Sequence, residues 1–202
     1  GGPAGTFQVL TASNPVPVAD TLISDPRIRK LTFTGSTEVG KLLYRKSADT
    51  VKKISLELGG HAPFLIFEDA DLDQAVKEAI ACKFRNAGQT CVCTNRIYVH
   101  SSIADEFAKR YAAAAKNLKV GDPLDSNTDI GPLVSKEGLQ KVKFHVQDAV
   151  SKGAKLLTGG KVIKGLFFEP TVLTNVDDDM QMMYEETFGP VAPIATFDTD
   201  EE

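Results

Sequence analysis

The stretch Lys30-Leu31-Thr32-Phe33-Thr34-Gly35-Ser36-Thr37-Glu38-Val39-Gly40-Lys41 decides the fold class. It reads as a short strand that ends in a glycine turn and opens a helix. That geometry aims free backbone N–H groups and the positive end of the helix dipole at an anion. The spacing approaches a Walker A loop, but Leu42 stands where that loop needs a Ser or Thr hydroxyl for Mg²⁺, which weakens a nucleotide triphosphatase reading. The glycines also miss Gly-x-Gly-x-x-Gly. The turn is therefore either a nonstandard dinucleotide turn or the plain start of a helix.

Working outward, strands are expected at 7–10, 30–34 and 53–58, with helical stretches around 18–24 and from Ser36. Such alternation reads as a parallel sheet covered by helices, an α/β fold. It resumes after Gly59-Gly60. Phe64 to Phe67 reads as a buried strand, and Leu72, Val76, Ile80 and Phe84 form one helical stripe that Gly88 can end in the left-handed conformation. A strand at 96–100 precedes a helix capped by Ser102, with Asp105 at capping-box spacing. Another helix follows Ser135, and strands are expected at 155–157, 171–173 and 192–197. Gly59-Gly60 is the one plausible boundary, dividing residues 1–58 from 59–202. It follows Glu57 with only Leu58 between, which would place that carboxylate in a crevice between two α/β units, where ligands commonly bind. Residues 1–58 supply about half of a doubly wound dinucleotide-binding sheet, and the chain reads as part of a longer polypeptide.

Composition excludes several classes. The 202 residues are 42% hydrophobic, enough for a real core, and 23 basic against 27 acidic residues leave a formal net charge of −4 with no basic block. Nucleic acid and anionic membrane are thus not expected partners. No apolar run approaches a membrane span, and a cytoplasmic location is expected. Cys82, Cys91 and Cys93 are too few for a disulfide framework in a chain of this length and suit a reducing compartment. His61, His100 and His145 have no ligand spacing to the cysteines, so no metal is expected.

Chemistry concentrates in Gly88-Gln89-Thr90-Cys91-Val92-Cys93-Thr94-Asn95-Arg96. Cys91 by itself would read as a small buried hydrophobe. Its polar, glycine-bounded loop suits a nucleophile instead, with Gln89, Thr90 and Asn95 as site lining. The thiolate is the attacking form, so something must favour the anion. A helix C-terminus before the loop would not do so, which leaves backbone N–H groups, cationic neighbours or a cofactor. Cys93 is either inert packing or the partner in a reversible disulfide that silences Cys91. Glu57 ends an apolar strand; it is either a catalytic carboxylate, a cap, or an ion-pair partner of Lys52 or Lys53. Arg85 is by default a surface residue, yet its planar fork could hold a carboxylate at the site mouth. Glu185-Glu186-Thr187-Phe188-Gly189-Pro190 is either an exposed acidic turn or a carboxylate for ribose hydroxyls beside a covering ring.

Phe33 to Gly40, Leu56 to Gly60, Gly88 to Cys91, Gly131 to Leu133, Glu169 to Val172 and Glu185 to Val191 together resemble the aldehyde dehydrogenases, and 85–93 resembles their succinate-semialdehyde branch. The resemblance implies the C-terminal half of a Rossmann-like cofactor domain followed by an α/β catalytic domain that is C-terminally incomplete. It implies NAD- or NADP-dependent oxidation of an aldehyde, succinate semialdehyde to succinate, as in γ-aminobutyrate degradation. Cys91 would be the nucleophile, forming a thiohemiacetal and then a thioester, and Glu57 the general base. Arg85 would grip the distal carboxylate of the substrate. Gly35, Ser36, Val39 and Leu58 would meet the cofactor, with Glu186 on the nicotinamide ribose, Phe188 beside it, and Cys93 able to cross-link to Cys91. A homo-oligomer is implied for the full-length protein. His61 departs from the Lys of many relatives, which reads as branch variation. The family's N-terminal segment, with an oxyanion asparagine and adenosine-ribose contacts, is not in this sequence, so the isolated chain is expected to be inactive. The alternatives are another aldehyde specificity, a non-catalytic fragment or, last, a P-loop-type module.

Overall fold

Asn14 starts the first helix, α1 (Pro15–Ser24), by accepting a hydrogen bond from the Val16 N–H, and Pro15 takes the first helical position, where a missing N–H costs nothing. After β1 (Lys30–Thr34), the Ser36 hydroxyl accepts from the Val39 N–H at 3.3 Å and opens α2 (Thr37–Ala48). β2 (Lys53–Glu57) then pairs with β1 in parallel, with Thr34 opposite Glu57. The buried Lys52 side chain donates to the carbonyls of Asp25 and Ile28 at 2.7 and 2.6 Å, tying the turn before β1 to the start of β2. The computed structural model describes residues 1–202, which fall into two compact units, Gly1–Gly59 and Gly60–Glu202.

One expectation fails in the first unit. Residues 7–10 form no strand; Phe7 and Leu10 are 84% and 68% exposed. A short apolar run becomes a strand only where a neighbouring ladder accepts its backbone groups, and β1 and β2 pair only with each other.

The second unit is built on a five-stranded sheet. Its strands are β3 (Ala62–Ile66), β4 (Thr94–His100), β5 (Lys155–Thr158), β8 (Thr171–Thr174) and β9 (Val191–Phe197), in the spatial order β3-β4-β9-β8-β5. All neighbours are parallel except β5 and β8. β6 (Val162–Lys164) and β7 (Phe167–Phe168) form a separate hairpin that periodicity did not reveal. Helices α3 (Leu72–Phe84), α4 (Ser101–Lys116) and α5 (Lys136–Ser151) complete the unit. The core gathers Val76, Phe84, Phe107, Tyr111, Val142 and Val146 from the helices with Ile97, Val99, Leu173 and Ile194 from the sheet. β9, at the centre, and its neighbours β4 and β8 carry most of the buried strand positions. No helix is long and apolar enough to cross a membrane.

Three local readings need correction. The 64–67 strand is not sealed: β3 lies at the sheet edge, and Leu65 is 55% exposed. α4 starts earlier than the Ser102 signal suggests, because the His100 imidazole is the cap and accepts from the Ser102 N–H. α3 ends at Phe84, well before Gly88. Arg85 leaves helical geometry, and Asn86, Ala87 and Gly88 then run consecutively in the left-handed region, with φ of 52°, 57° and 71°.

Candidate active site

The left-handed turn sets the course of the loop that carries Cys91. Asn86 and Gln89 hold it through reciprocal bonds: Asn86 Nδ2 donates to the Gln89 carbonyl at 3.0 Å and Gln89 Nε2 to the Asn86 carbonyl at 3.1 Å. Gln89 also donates to the Pro132 carbonyl and accepts from the Val134 N–H at 2.8 Å, which joins the 132–134 segment to the loop. Gln89 thus clamps the loop to its surroundings. A Cβ on Gly88 would lie 2.2 Å from the Gly189 carbonyl oxygen, so only glycine permits this approach of two backbones.

Cys91 is exposed, whereas Cys82 is half-buried and Cys93 is 1% exposed; all three are free thiols. The Cys91 N–H has no backbone partner, although the Cys93 N–H returns to the Thr90 carbonyl at 3.0 Å. The Cys93 thiol turns inward toward the Lys83 and Thr94 carbonyls, and burial pushes its pKa up.

Gly60 is the junction of the site within the second unit. Its N–H donates to Glu186 Oε1 at 3.4 Å, and its carbonyl accepts from Asn95 Nδ2 at 3.3 Å. A Cβ there would lie 2.8 Å from the Cys91 carbonyl oxygen. Three segments distant in sequence, around Gly60, Cys91 and Glu186, therefore meet at one peptide. Asn95, expected to line a site, is instead a fully buried strut: its NH₂ also donates to the Cys93 carbonyl and its Oδ1 accepts from the fully buried Lys83 ammonium at 3.2 Å.

The segment bearing Glu186 has its own anchor. The fully buried His145 meets the Thr187 hydroxyl through Nδ1 at 3.0 Å, while Nε2 has no hydrogen-bond partner and stands 3.7 Å from the Glu185 carboxylate. Burial, assisted by Lys141, pulls the His145 pKa down to about 4, so the ring is neutral near pH 7. Phe188 follows with φ of 49° and 38% exposure. His61 bonds the Met183 carbonyl through Nε2 at 2.9 Å, and its own carbonyl accepts from the Arg96 guanidinium. Burial lowers the His61 pKa as well.

Arg85 is exposed and its guanidinium carries no hydrogen bond or salt bridge within the chain, so it can take an external anion. In the first unit, Glu57 ends β2 with an exposed side chain; its carbonyl accepts from the Gly35 N–H at 3.0 Å. It pairs with neither Lys52 nor Lys53. Gly35, Ser36 and Val39 are exposed at the start of α2, and Leu58 is half-buried. The first N–H groups of α2 lack partners inside the helix and suit a phosphate, although Glu38 shares that turn. Together with the exposed apolar Val39, they fit a dinucleotide.

Sequence reasoning passed over Lys83 and His145. The signal was present in both cases. Lys83 falls on the buried face of α3 with Val76 and Ala79, and His145 lies on the buried face of α5 with Val142, Val146 and Ala149. A polar residue on an apolar stripe needs a partner, and both have one.

Comparison with known proteins assigns the family. The aldehyde dehydrogenase family matches residues 1–202. A probable NADP⁺ succinate-semialdehyde dehydrogenase of Sinorhizobium fredii is 51% identical over 98% of this chain and 41% of its own length. A glutarate-semialdehyde dehydrogenase of Pseudomonas putida is 52% identical over 100% of this chain and 42% of its own. The crystal structure of succinate-semialdehyde dehydrogenase from Burkholderia pseudomallei superposes with a TM-score of 0.92 at 53% identity, over 95% of this chain and 40% of that one. The chain thus spans about two fifths of the length of the relatives it matches. With an α/β sheet of the same fold and a match from end to end, this chain belongs to the aldehyde dehydrogenase family.

Proposed function

We propose that this chain forms part of an NAD(P)-dependent aldehyde dehydrogenase that oxidises succinate semialdehyde to succinate in the cytoplasm, with residues 1–58 belonging to the cofactor domain and 59–202 to the catalytic domain. The observation that carries this reading is the setting of Cys91, an exposed thiol on a loop braced at Gly60, Gly88 and Gln89. Bracing of this kind holds a nucleophile near its target and lowers the entropic cost of attack.

In this mechanism the Cys91 thiolate adds to the aldehyde carbon, forming a C–S bond while the carbonyl electron pair moves to oxygen. The Cys91 N–H, free of a backbone partner, donates to that alkoxide as part of an oxyanion hole. A nicotinamide, when bound, would supply the hydride acceptor that turns the Cys91 thiohemiacetal into a thioester. Gly35, Ser36, Val39 and Leu58 would hold the dinucleotide, and Glu186 would accept from its ribose hydroxyls beside Phe188. Glu57 takes a proton from the water that attacks the thioester. The C–S bond then breaks, and the acid departs as Cys91 regains its thiolate.

Arg85, exposed and unpaired, supports an anionic tail on the substrate. The glutarate-semialdehyde relative makes a longer semialdehyde the second reading. Cys93 is inward-facing packing in this reading, its thiol turned toward the Lys83 and Thr94 carbonyls. A coupled assay on the full-length polypeptide, with succinate semialdehyde and glutarate semialdehyde against NAD and NADP, tests the assignment. Cys91→Ser is expected to abolish turnover, and normal turnover in that variant would end the covalent mechanism.

A further inference from the structure

Lys83 is a lysine with no access to water; its Nζ donates to Asn95 Oδ1 at 3.2 Å and lies beside the Cys93 thiol. Burial lowers its pKa, with the Cys93 thiol opposing that shift, and a lysine kept this far from water is costly enough to need a reason. Asn95 supplies one. A carboxamide is nearly symmetric in shape but not in chemistry, with an acceptor on one arm and two donors on the other. In the second unit its NH₂ faces two carbonyls, those of Gly60 and Cys93, which only accept. Its oxygen faces Lys83, which only donates. Rotated by half a turn, the amide would set donor against donor and acceptor against acceptors. Lys83 therefore selects the one orientation in which Asn95 joins Gly60 to the strand that leaves Cys91.

We infer that Lys83 is a positioning residue for Cys91: by donating to Asn95 Oδ1 it fixes the carboxamide that ties the Cys93 carbonyl to the Gly60 carbonyl and so holds the nucleophile loop in place. The inference rests on the reading of Cys91 as nucleophile, and two separate measurements keep it distinguishable from that reading. Donation, rather than charge, is the active property. Gln at position 83 can replace it and Met cannot.

The experiment compares the parent full-length protein with Lys83→Met, Lys83→Gln and Asn95→Asp. Its readouts are steady-state kinetics with succinate semialdehyde and the iodoacetamide alkylation rate of Cys91, located by peptide mass spectrometry. Lys83→Met is expected to fold, since removal of a poorly compensated buried charge is often tolerated. Its kcat should fall about tenfold or more with KM within about twofold, because misplacement of the reacting atom rather than loss of binding is at issue. The Cys91 alkylation rate should change by severalfold in the same variant. Lys83→Gln should recover most of both. Asn95→Asp, which keeps the shape and the ammonium partner but removes both N–H donors, should behave like Lys83→Met. Parent-like kcat and alkylation in Lys83→Met would overturn the inference, as would equal losses in Met and Gln. If Lys83→Met melts at assay temperature, Asn95→Asp decides alone: parent-like behaviour there overturns it. Should the parent lack dehydrogenase activity, the proposed function fails, while alkylation still reports whether Lys83 positions Cys91.

Discussion

The carbonyl oxygen of Gly189 occupies the space that a side chain on Gly88 would need, with only 2.2 Å separating it from a Cβ built there. This contact presses the Cys91 loop against the segment that carries Glu186. Gly88→Ala therefore combines backbone displacement with an alanine held at φ of 71°, a conformation that costs an L-residue roughly 1–2 kcal/mol by itself. Loss of folded protein or of most activity is expected. Ala87→Gly is the contrasting case. Relief of left-handed strain at φ of 57° is offset by a lost buried methyl of about 0.8 kcal/mol and by glycine's backbone entropy, so stability should change by less than about 1 kcal/mol. Thermal melts of the two variants test this asymmetry.

His145 makes stability depend on pH. Its folded pKa of about 4 lies below the ordinary value of 6.5, so between these limits the unfolded chain binds more protons than the folded one. The contribution is complete above about pH 6.5 and is lost as pH falls through 4. A shift of this size corresponds to about 3 kcal/mol at most. Lys141 opposes protonation of the ring, whereas Glu185 and Asp148 favour it. His145→Asn can retain a bond to Thr187 without titrating. Acid unfolding of parent and variant in parallel should show a shallower decline for Asn between pH 6.5 and 4. Parallel curves would remove His145 from the account.

Strand β1, the Ser36 helix start and strand β2 could be read directly from the sequence, because Gly35 and the alternation around it are local signals. Residues 7–10 misled, since an apolar run does not announce whether a partner strand exists. β3 misled in a milder way: its apolar composition suggests full burial, but its place at the sheet edge depends on the order of strands joined from across the chain. In the site, Cys91 and Glu186 were legible as residue types in motifs. Their meeting at Gly60 was not, because the bonds that create it join Gly60 to Glu186, 126 positions away, and to Asn95, 35 positions away. Lys83 was hidden for another reason. Lysine reads as surface by default, and only its phase on α3, shared with Val76 and Ala79, argues against that.

Arg85 supplies a test of substrate choice. A charge-assisted pair with a substrate carboxylate contributes about 1.5–3 kcal/mol, which corresponds to a roughly ten- to hundredfold rise in KM when it is removed. Arg85→Ala should show that rise for succinate semialdehyde and for glutarate semialdehyde. An uncharged aldehyde of similar length should be almost unaffected. Folding should be normal, because the exposed guanidinium has no partner in the chain to lose. Equal KM changes for charged and uncharged aldehydes would remove the anionic tail from the substrate assignment.

Glu57 and Cys91 should separate kinetically in the full-length protein. The first half-reaction needs the thiolate and a hydride acceptor, but no base for water. The second needs a proton acceptor. Glu57→Gln keeps the shape of an exposed residue that makes no side-chain bond in its unit, so little stability should be lost. Rapid mixing with aldehyde should then release a burst of reduced cofactor equal to the enzyme concentration. Steady turnover should follow at a rate lower by about 10² to 10⁴, the usual contribution of a general base. Thioester should accumulate on Cys91, detectable as a mass increase on the 88–96 region. Loss of the burst together with turnover would mean that Glu57 acts before hydride transfer, as the base that forms the Cys91 thiolate. Its role would then lie with the nucleophile rather than with water.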